Sequence, residues 1–350
     1  MFELEAATKG ADKTRMFAEA GETAACIDVQ YAVNASHFAA LGAHLRECPP
    51  RFVITCARGS SDHAAVYARY LIETRTGIPV CASGPSVSSL YRTPLKAQDA
   101  LCLAVSQSGR SPDLLHSIQT LKQSGAFVVA LVNVEDSPLA DIADEVLPLR
   151  AGPENAVAAT KSFLASLAAI ARLVAEWAAD RELLGALDGL PSKLDAAWKL
   201  DWHCAVPALE AARSLFVLGR GIGYGAAREA ALKLKETCAL HAEAYSAAEV
   251  LHGPAALVRP GFPILAFAQN DATHSSMNET LRTLSRFGAQ IFAAGTGVVA
   301  GQTLPASGGH PALEPMLMIQ SFYRMANTLS LRRGYDPDRP PHLSKITETV

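Results

Sequence analysis

Two short loops in this chain place hydroxyls where an anion could be held. Leu101 to Val105 is an apolar run that changes abruptly to Ser106-Gln107-Ser108-Gly109-Arg110-Ser111, and a comparable Gly59-Ser60-Ser61 follows the β-rich run at 51–57. Hydroxyls and backbone N–H groups at the positive end of a following helix make a phosphate cradle without needing a lysine. Gly109 lets the backbone approach a ligand closely. Ser and Gly also cap helices for purely local reasons, but two such loops in one half of the chain favour the binding reading. A third stretch, REAALKLKETCALHAEAYSAAEVLHGP (228–254), carries acid–base candidates. On a helix Glu229, Lys233 and Glu236 fall at i, i+4 and i+7 and share a face, which sets an ammonium beside the carboxylate a general base requires. His252 opens a helix-breaking His-Gly-Pro, where a lone histidine is more often a structural hydrogen-bonding group. Lys345, taken alone, reads as a solvated tail lysine.

The elements that must position these residues repeat. Laying Ala57-Arg58-Gly59 on Gly219-Arg220-Gly221 takes a shift of 162 residues, and the same shift carries Gln107, the end of LCLAVSQ, onto Gln269, the end of PILAFAQ. Gly125 in SGAFVVALVN matches Gly288 in FGAQIFAAG at a shift of 163. Strand, small-residue loop and helix recur in each half, so each half is predicted to be a parallel sheet with helices on both faces. Ligands of such sheets sit beyond the carboxyl ends of the strands, where both Ser loops fall. The second copy of the Ser-Gln-Ser-Gly loop reads Ala268-Gln269-Asn270-Asp271 and is expected not to bind phosphate.

The predicted organisation is leading helices over 1–45, a first lobe over 46–178 with the anion-binding loops, and a polar linker over 179–198. A second lobe follows over 199–330 with the acid–base stretch, then a Pro-rich tail over 331–350 that carries Lys345 and needs something to hold it. The formal charge of −3 gives no global attraction to nucleic acid or to an anionic membrane surface. Seven scattered cysteines with no C-x-x-C spacing suit buried small residues in a reducing cytoplasm rather than a disulfide frame or a metal site. The acidic residues at the N-terminus do not suit a signal peptide. Charges at 161, 172 and 176 mark the most apolar stretch, 162–179, as a core helix rather than a membrane span.

Taken together, ARGSS, SQSG, AGPENAVAATKSF, the long LGRGIGYGAAREAALKLKETCALHAEAYSAAEVLHGP and the closing LSK resemble the sugar isomerase (SIS) family. The likeness is to the isomerase half of glucosamine-6-phosphate synthase and to stand-alone SIS-type glucosamine-6-phosphate deaminases, and it spans nearly the whole chain. It implies an α/β fold of two tandem SIS lobes, each a parallel sheet flanked by helices, with a C-terminal tail closing the site. It implies that Ser60, Ser61, Ser106, Gln107, Ser108 and Ser111 hold a phosphorylated amino sugar beside Gly59, with main-chain contacts near Val157 and Ala159. Glu236 would move a proton between C1 and C2, with Lys233 tuning it. His252, reaching in from the second subunit of a homodimer, would open the ring, and Lys345 would meet the open-chain carbonyl. No metal or organic cofactor is implied.

Two departures bear on the substrate. The glutaminase domain and nucleophilic cysteine that lead the synthases are not among these 350 residues, so no ammonia from glutamine is expected. Arg110 stands where the synthases carry an acid, and Arg58 replaces a small residue, so the rim is more basic. The expected reaction is glucosamine 6-phosphate to fructose 6-phosphate and ammonia. The rivals are a fructosamine-6-phosphate deglycase, a galactosamine-6-phosphate deaminase and an isomerase half using free ammonia. A sugar-phosphate-sensing regulator is the rival outside enzymes, although residues 1–45 are short and lean in Arg and Lys for a DNA-reading domain.

Overall fold

Strands made of uninterrupted apolar residues need cover on both faces, and the central strands of both sheets, Ala100–Ser106 and Pro263–Phe267, are buried throughout. The computed structural model describes residues 10–345. The first nine residues of the expected leading segment and the last five of the expected tail lie outside that range. The chain divides into two compact units.

One unit comprises Ala25–Glu154, Lys161–Asp188 and the residues from Ser344. Its strands are β1 (Phe52–Cys56), β2 (Val80–Ala82), β3 (Ala100–Ser106), β4 (Phe127–Val132) and β5 (Glu145–Pro148). They pair in the order β2-β1-β3-β4-β5, all parallel, with Cys56 opposite Ala104 and Ser106 opposite Val132. All seven residues of β3 are buried, as a central strand between helical layers requires. Helix Ser60–Thr76 follows β1 and packs on helix Lys161–Ala178, while helix Pro112–Gln123 follows β3. Fifteen residues of helix Lys161–Ala178 are buried, which bears out its reading as a core helix.

The other unit comprises the residues up to Ala24, Asn155–Thr160 and Gly189–Leu343. Its strands β6 (Ser214–Gly219), β7 (His241–Ser246), β8 (Pro263–Phe267), β9 (Gln290–Ala294) and β10 (Gln302–Leu304) pair in the order β10-β9-β8-β6-β7, again all parallel. The repeat seen in the loops extends to the elements. A shift of 162 carries the start of β1 onto the start of β6 and the end of helix Ser60–Thr76 onto the end of helix Tyr224–Cys238. It also carries the start of helix Pro112–Gln123 onto that of helix His274–Arg286. Among the described residues no helix is long and apolar enough to cross a membrane.

The stretch 179–198 is helical over Arg181–Asp188 and Leu190–Trp198. Leu183 and Leu187, then Leu190 and Leu194, are buried pairs spaced one turn apart. Pro191 sits in the first turn of the second helix, where its missing N–H costs nothing. Beyond helix Glu314–Arg332, hydrogen bonds from Arg333 and to Asp338 hold the tail. Arg333 donates to the carbonyls of Cys238, Leu209, Glu210 and Ala212. Asp338 accepts the N–H groups of Arg15 and Met16, each at 2.9 Å, and so caps helix Arg15–Gly21.

Candidate active site

Both Ser loops leave the carboxyl ends of adjacent strands, β1 and β3. Ser60 and Ser61 are the first two residues of helix Ser60–Thr76, whose N-cap is Gly59 at φ +54°. After β3 the backbone doubles back on itself: Ser106 Oγ accepts the Gly109 N–H at 3.0 Å, and Ser108 Oγ accepts that of Arg110 at 3.3 Å. Gly109 lies at φ +65°, and a Cβ there would come within 2.4 Å of Ser137 Oγ. Only glycine satisfies both constraints. Ser111 is the N-cap residue of helix Pro112–Gln123 and uses no side-chain cap bond, so the hydroxyl is not spent on the helix. Gln107 and Ser108 are half-buried.

The two loops are clipped together by an ion pair absent from the sequence-level site. Arg58, just ahead of Gly59, donates through Nε to Asp113 Oδ2 at 2.9 Å and through Nη2 to the same oxygen. The Asp113 side chain is 1% exposed, so the guanidinium is what makes its burial tolerable. Asp113 was visible as an acid in the first turn after Ser111-Pro112, a position the helix dipole favours, but nothing in the sequence paired it with Arg58. Arg110, the second rim arginine, donates to the Asp136 carbonyl at 2.8 Å and is exposed.

In the other unit, helix Tyr224–Cys238 carries the acid–base cluster. Lys233 is 1% exposed, bonded to Glu236 Oε2 and lying 3.5 Å from Glu229 Oε1. Tyr323, from helix Glu314–Arg332, donates to Glu229 Oε1 at 3.3 Å. Glu229 is wholly buried and Glu236 is 21% exposed, so Glu236 is the member of the cluster that faces out. The sequence put Glu229 on the shared face without making it a site residue; Tyr323, 94 residues away, had no signal to give it.

His252 ends the turn Glu249–Leu251, donating its N–H to the Glu249 carbonyl at 2.9 Å, and is exposed on its own unit. Its sequence neighbour Leu251 is 42% exposed and lines a surface hollow with Phe287, 47% exposed. Val157 and Ala159 are half-buried in the segment Asn155–Thr160, whose course is fixed by the Glu19 carboxylate accepting the N–H groups of Asn155 at 2.6 Å and Ala156 at 3.1 Å. Lys345 Nζ lies 3.5 Å from Glu154 Oε2.

The repeat of the Ser-Gln-Ser-Gly loop is filled by its own side chains. Gln269 donates to Arg220 O, Asp271 Oδ2 and Thr273 Oγ1. Asp271, standing at the position of Gly109, accepts the N–H of Thr273, the N-cap residue of helix His274–Arg286, at 2.8 Å. A carboxylate already sits at that helix start.

A family model described as SIS domain matches residues 47–175 and 208–297, and the chain belongs to that family. Among curated relatives, the glutamine-fructose-6-phosphate aminotransferase (isomerizing) of Aeropyrum pernix is 37% identical over 315 residues, covering 83% of this chain and 50% of that protein. The chain thus spans about half the length of the curated relatives it matches. A solved structure from Silicibacter pomeroyi, provisionally assigned as a phosphosugar isomerase, is 44% identical with a TM-score of 0.89 and covers 93% of this chain and 100% of that one. The glucosamine-6-phosphate deaminase of Thermotoga maritima is 21% identical with a TM-score of 0.76 over 96% of this chain and 100% of that one, a likeness that speaks for the fold alone.

Proposed function

We propose that this chain is an amino-sugar-phosphate deaminase/isomerase, taking glucosamine 6-phosphate to fructose 6-phosphate and ammonia. The observation that carries the reading is the cluster on helix Tyr224–Cys238: a carboxylate that reaches solvent, backed by an ammonium that does not. The Ser loops hold the phosphate with hydroxyls and N–H groups at two helix starts. His252 opens the pyranose to the free aldehyde. Glu236 takes the proton from C2, leaving an enolamine, and returns it to C1, giving the C2 imine. Water then adds to C2 and ammonia departs, leaving the ketose. A positioned acid–base residue contributes about 10²–10⁴ in rate, and anchoring a flexible open-chain sugar supplies much of the rest. Lys345 meets the carbonyl.

His252 is read as serving a second copy of the chain, so the protein works as a homodimer. The exposure of His252 next to Leu251, which shares a surface hollow with Phe287, supports that reading, because a second copy would cover these apolar side chains. Sedimentation that finds a fully active monomer would contradict it.

A second reading is favoured by the 37% identity to an aminotransferase: the same site making glucosamine 6-phosphate from fructose 6-phosphate and free ammonia. The deciding experiment incubates the protein with glucosamine 6-phosphate, galactosamine 6-phosphate and a fructosamine 6-phosphate and measures released ammonia or amine, then runs fructose 6-phosphate with ammonium. Release from glucosamine 6-phosphate alone supports the first reading; turnover only in the reverse direction supports the second. Glu236→Gln is expected to lower turnover by about 10²–10⁴. Wild-type turnover in that variant sinks the assignment.

A further inference from the structure

Glu154 has no place in the mechanism above, yet it is built like a functional group. Its side chain is wholly buried in the Gly152-Pro153-Glu154-Asn155 loop. Oε1 accepts the Ser162 N–H at 3.1 Å and Oε2 the Ser162 hydroxyl at 2.6 Å, which ties it to the first turn of helix Lys161–Ala178. The Lys345 ammonium lies 3.5 Å from Oε2, across 191 residues of sequence. A buried carboxylate needs charge compensation as well as neutral donors. Here a tail lysine 27% exposed supplies it. A flexible four-carbon side chain gains a defined place only if something fixes its charged tip.

We propose that Glu154 is a positioning residue for Lys345: the buried carboxylate docks the tail and sets where the ammonium waits. This rests on the reading that Lys345 meets the open-chain sugar carbonyl. The Ser162 bonds serve the dock by fixing the carboxylate, so that the position of Lys345 is inherited from a rigid helix rather than from the tail.

The test uses the full-length protein and two readouts. Limited trypsin digestion followed by intact mass reports cleavage after Lys345 as loss of Ile346–Val350. Glu154→Gln removes the charge, keeps one acceptor oxygen for the Ser162 N–H, and can donate from its NH2 to the Ser162 hydroxyl oxygen. It is expected to release this peptide about tenfold faster than wild type, as loss of a largely buried charge-assisted hydrogen bond implies. With the sugar phosphate that wild type turns over, kcat should fall about tenfold while inhibition by inorganic phosphate stays within about twofold, because the Ser loops are untouched. A folded Glu154→Gln protein cleaved at the wild-type rate overturns the docking. Faster cleavage with unchanged kcat overturns the positioning role and with it the role given to Lys345, while wild type that turns over no amino-sugar phosphate counts against the proposed function instead. Should Glu154→Gln fail to fold, Glu154→Asp decides: it keeps the charge but withdraws it by one methylene, so cleavage at the wild-type rate again overturns the proposal.

Discussion

Lys233 is the residue whose removal does most damage for the least change in shape. It separates two carboxylates, one wholly buried, and Lys233→Met would leave the Glu229 charge in the core without the ammonium 3.5 Å away. Removing one partner of a buried ion pair costs about 3–5 kcal/mol. The expected result is a large drop in thermal midpoint that Glu229→Gln in the same chain partly restores; a double variant no better than Lys233→Met would show that the charge on Glu229 is not what matters. The sequence showed this cluster well, because i, i+4 and i+7 spacing on one helix is local information. It could not show Tyr323 or the Arg58–Asp113 clip, since those contacts join elements far apart in the chain and carry no periodic signature.

At the scale of elements, the loop after β3 is defined by backbone geometry more than by its serines. Gly109→Ala puts a Cβ against Ser137 and holds alanine at φ +65°, a conformation that costs a non-glycine residue about 1–3 kcal/mol. Thermal unfolding should register that loss, and inhibition by inorganic phosphate should weaken as the Ser106 and Ser108 bonds shift; unchanged inhibition would mean the loop is not the anion seat. The two sheets were legible because apolar strand and small-residue loop recur at a fixed interval. The helices at 181–198 were not, because a Gly-Leu-Pro sequence reads as a break unless the proline is known to open the next helix. Glu154 stood inside the AGPENAVAATKSF motif, but nothing local in the sequence joined it to Lys345.

For the whole molecule, burial of ionisable groups predicts an alkaline limit. Burial pushes the Cys238 thiol from 9.0 up to about 12, and lifts the Tyr67 phenol, 1% exposed, far above its ordinary range. Both groups keep a proton in the fold that the unfolded chain gives up. Stability is therefore complete below about pH 9 and declines as pH rises, by about 1.4 kcal/mol per pH unit for each group once its unfolded pKa is passed. Denaturant midpoints measured from pH 8 to pH 11 should fall, and Cys238→Ala should flatten the first part of that fall; a level curve would refute the argument.

The capping of helix Arg15–Gly21 by Asp338 also has a bearing on biosynthesis. That helix leaves the ribosome 323 residues ahead of Asp338, and Thr14 leaves it 313 residues ahead of Asn327, which it bonds at 2.6 Å. At about 5–20 residues per second the gap is roughly 15–65 s. During that interval Met16 and Ala20, fully buried in the finished protein, lack the cover their helix takes from helix Glu314–Arg332. Nascent chains stalled before residue 327 should accordingly be cut by protease within helix Arg15–Gly21, and the released protein should not.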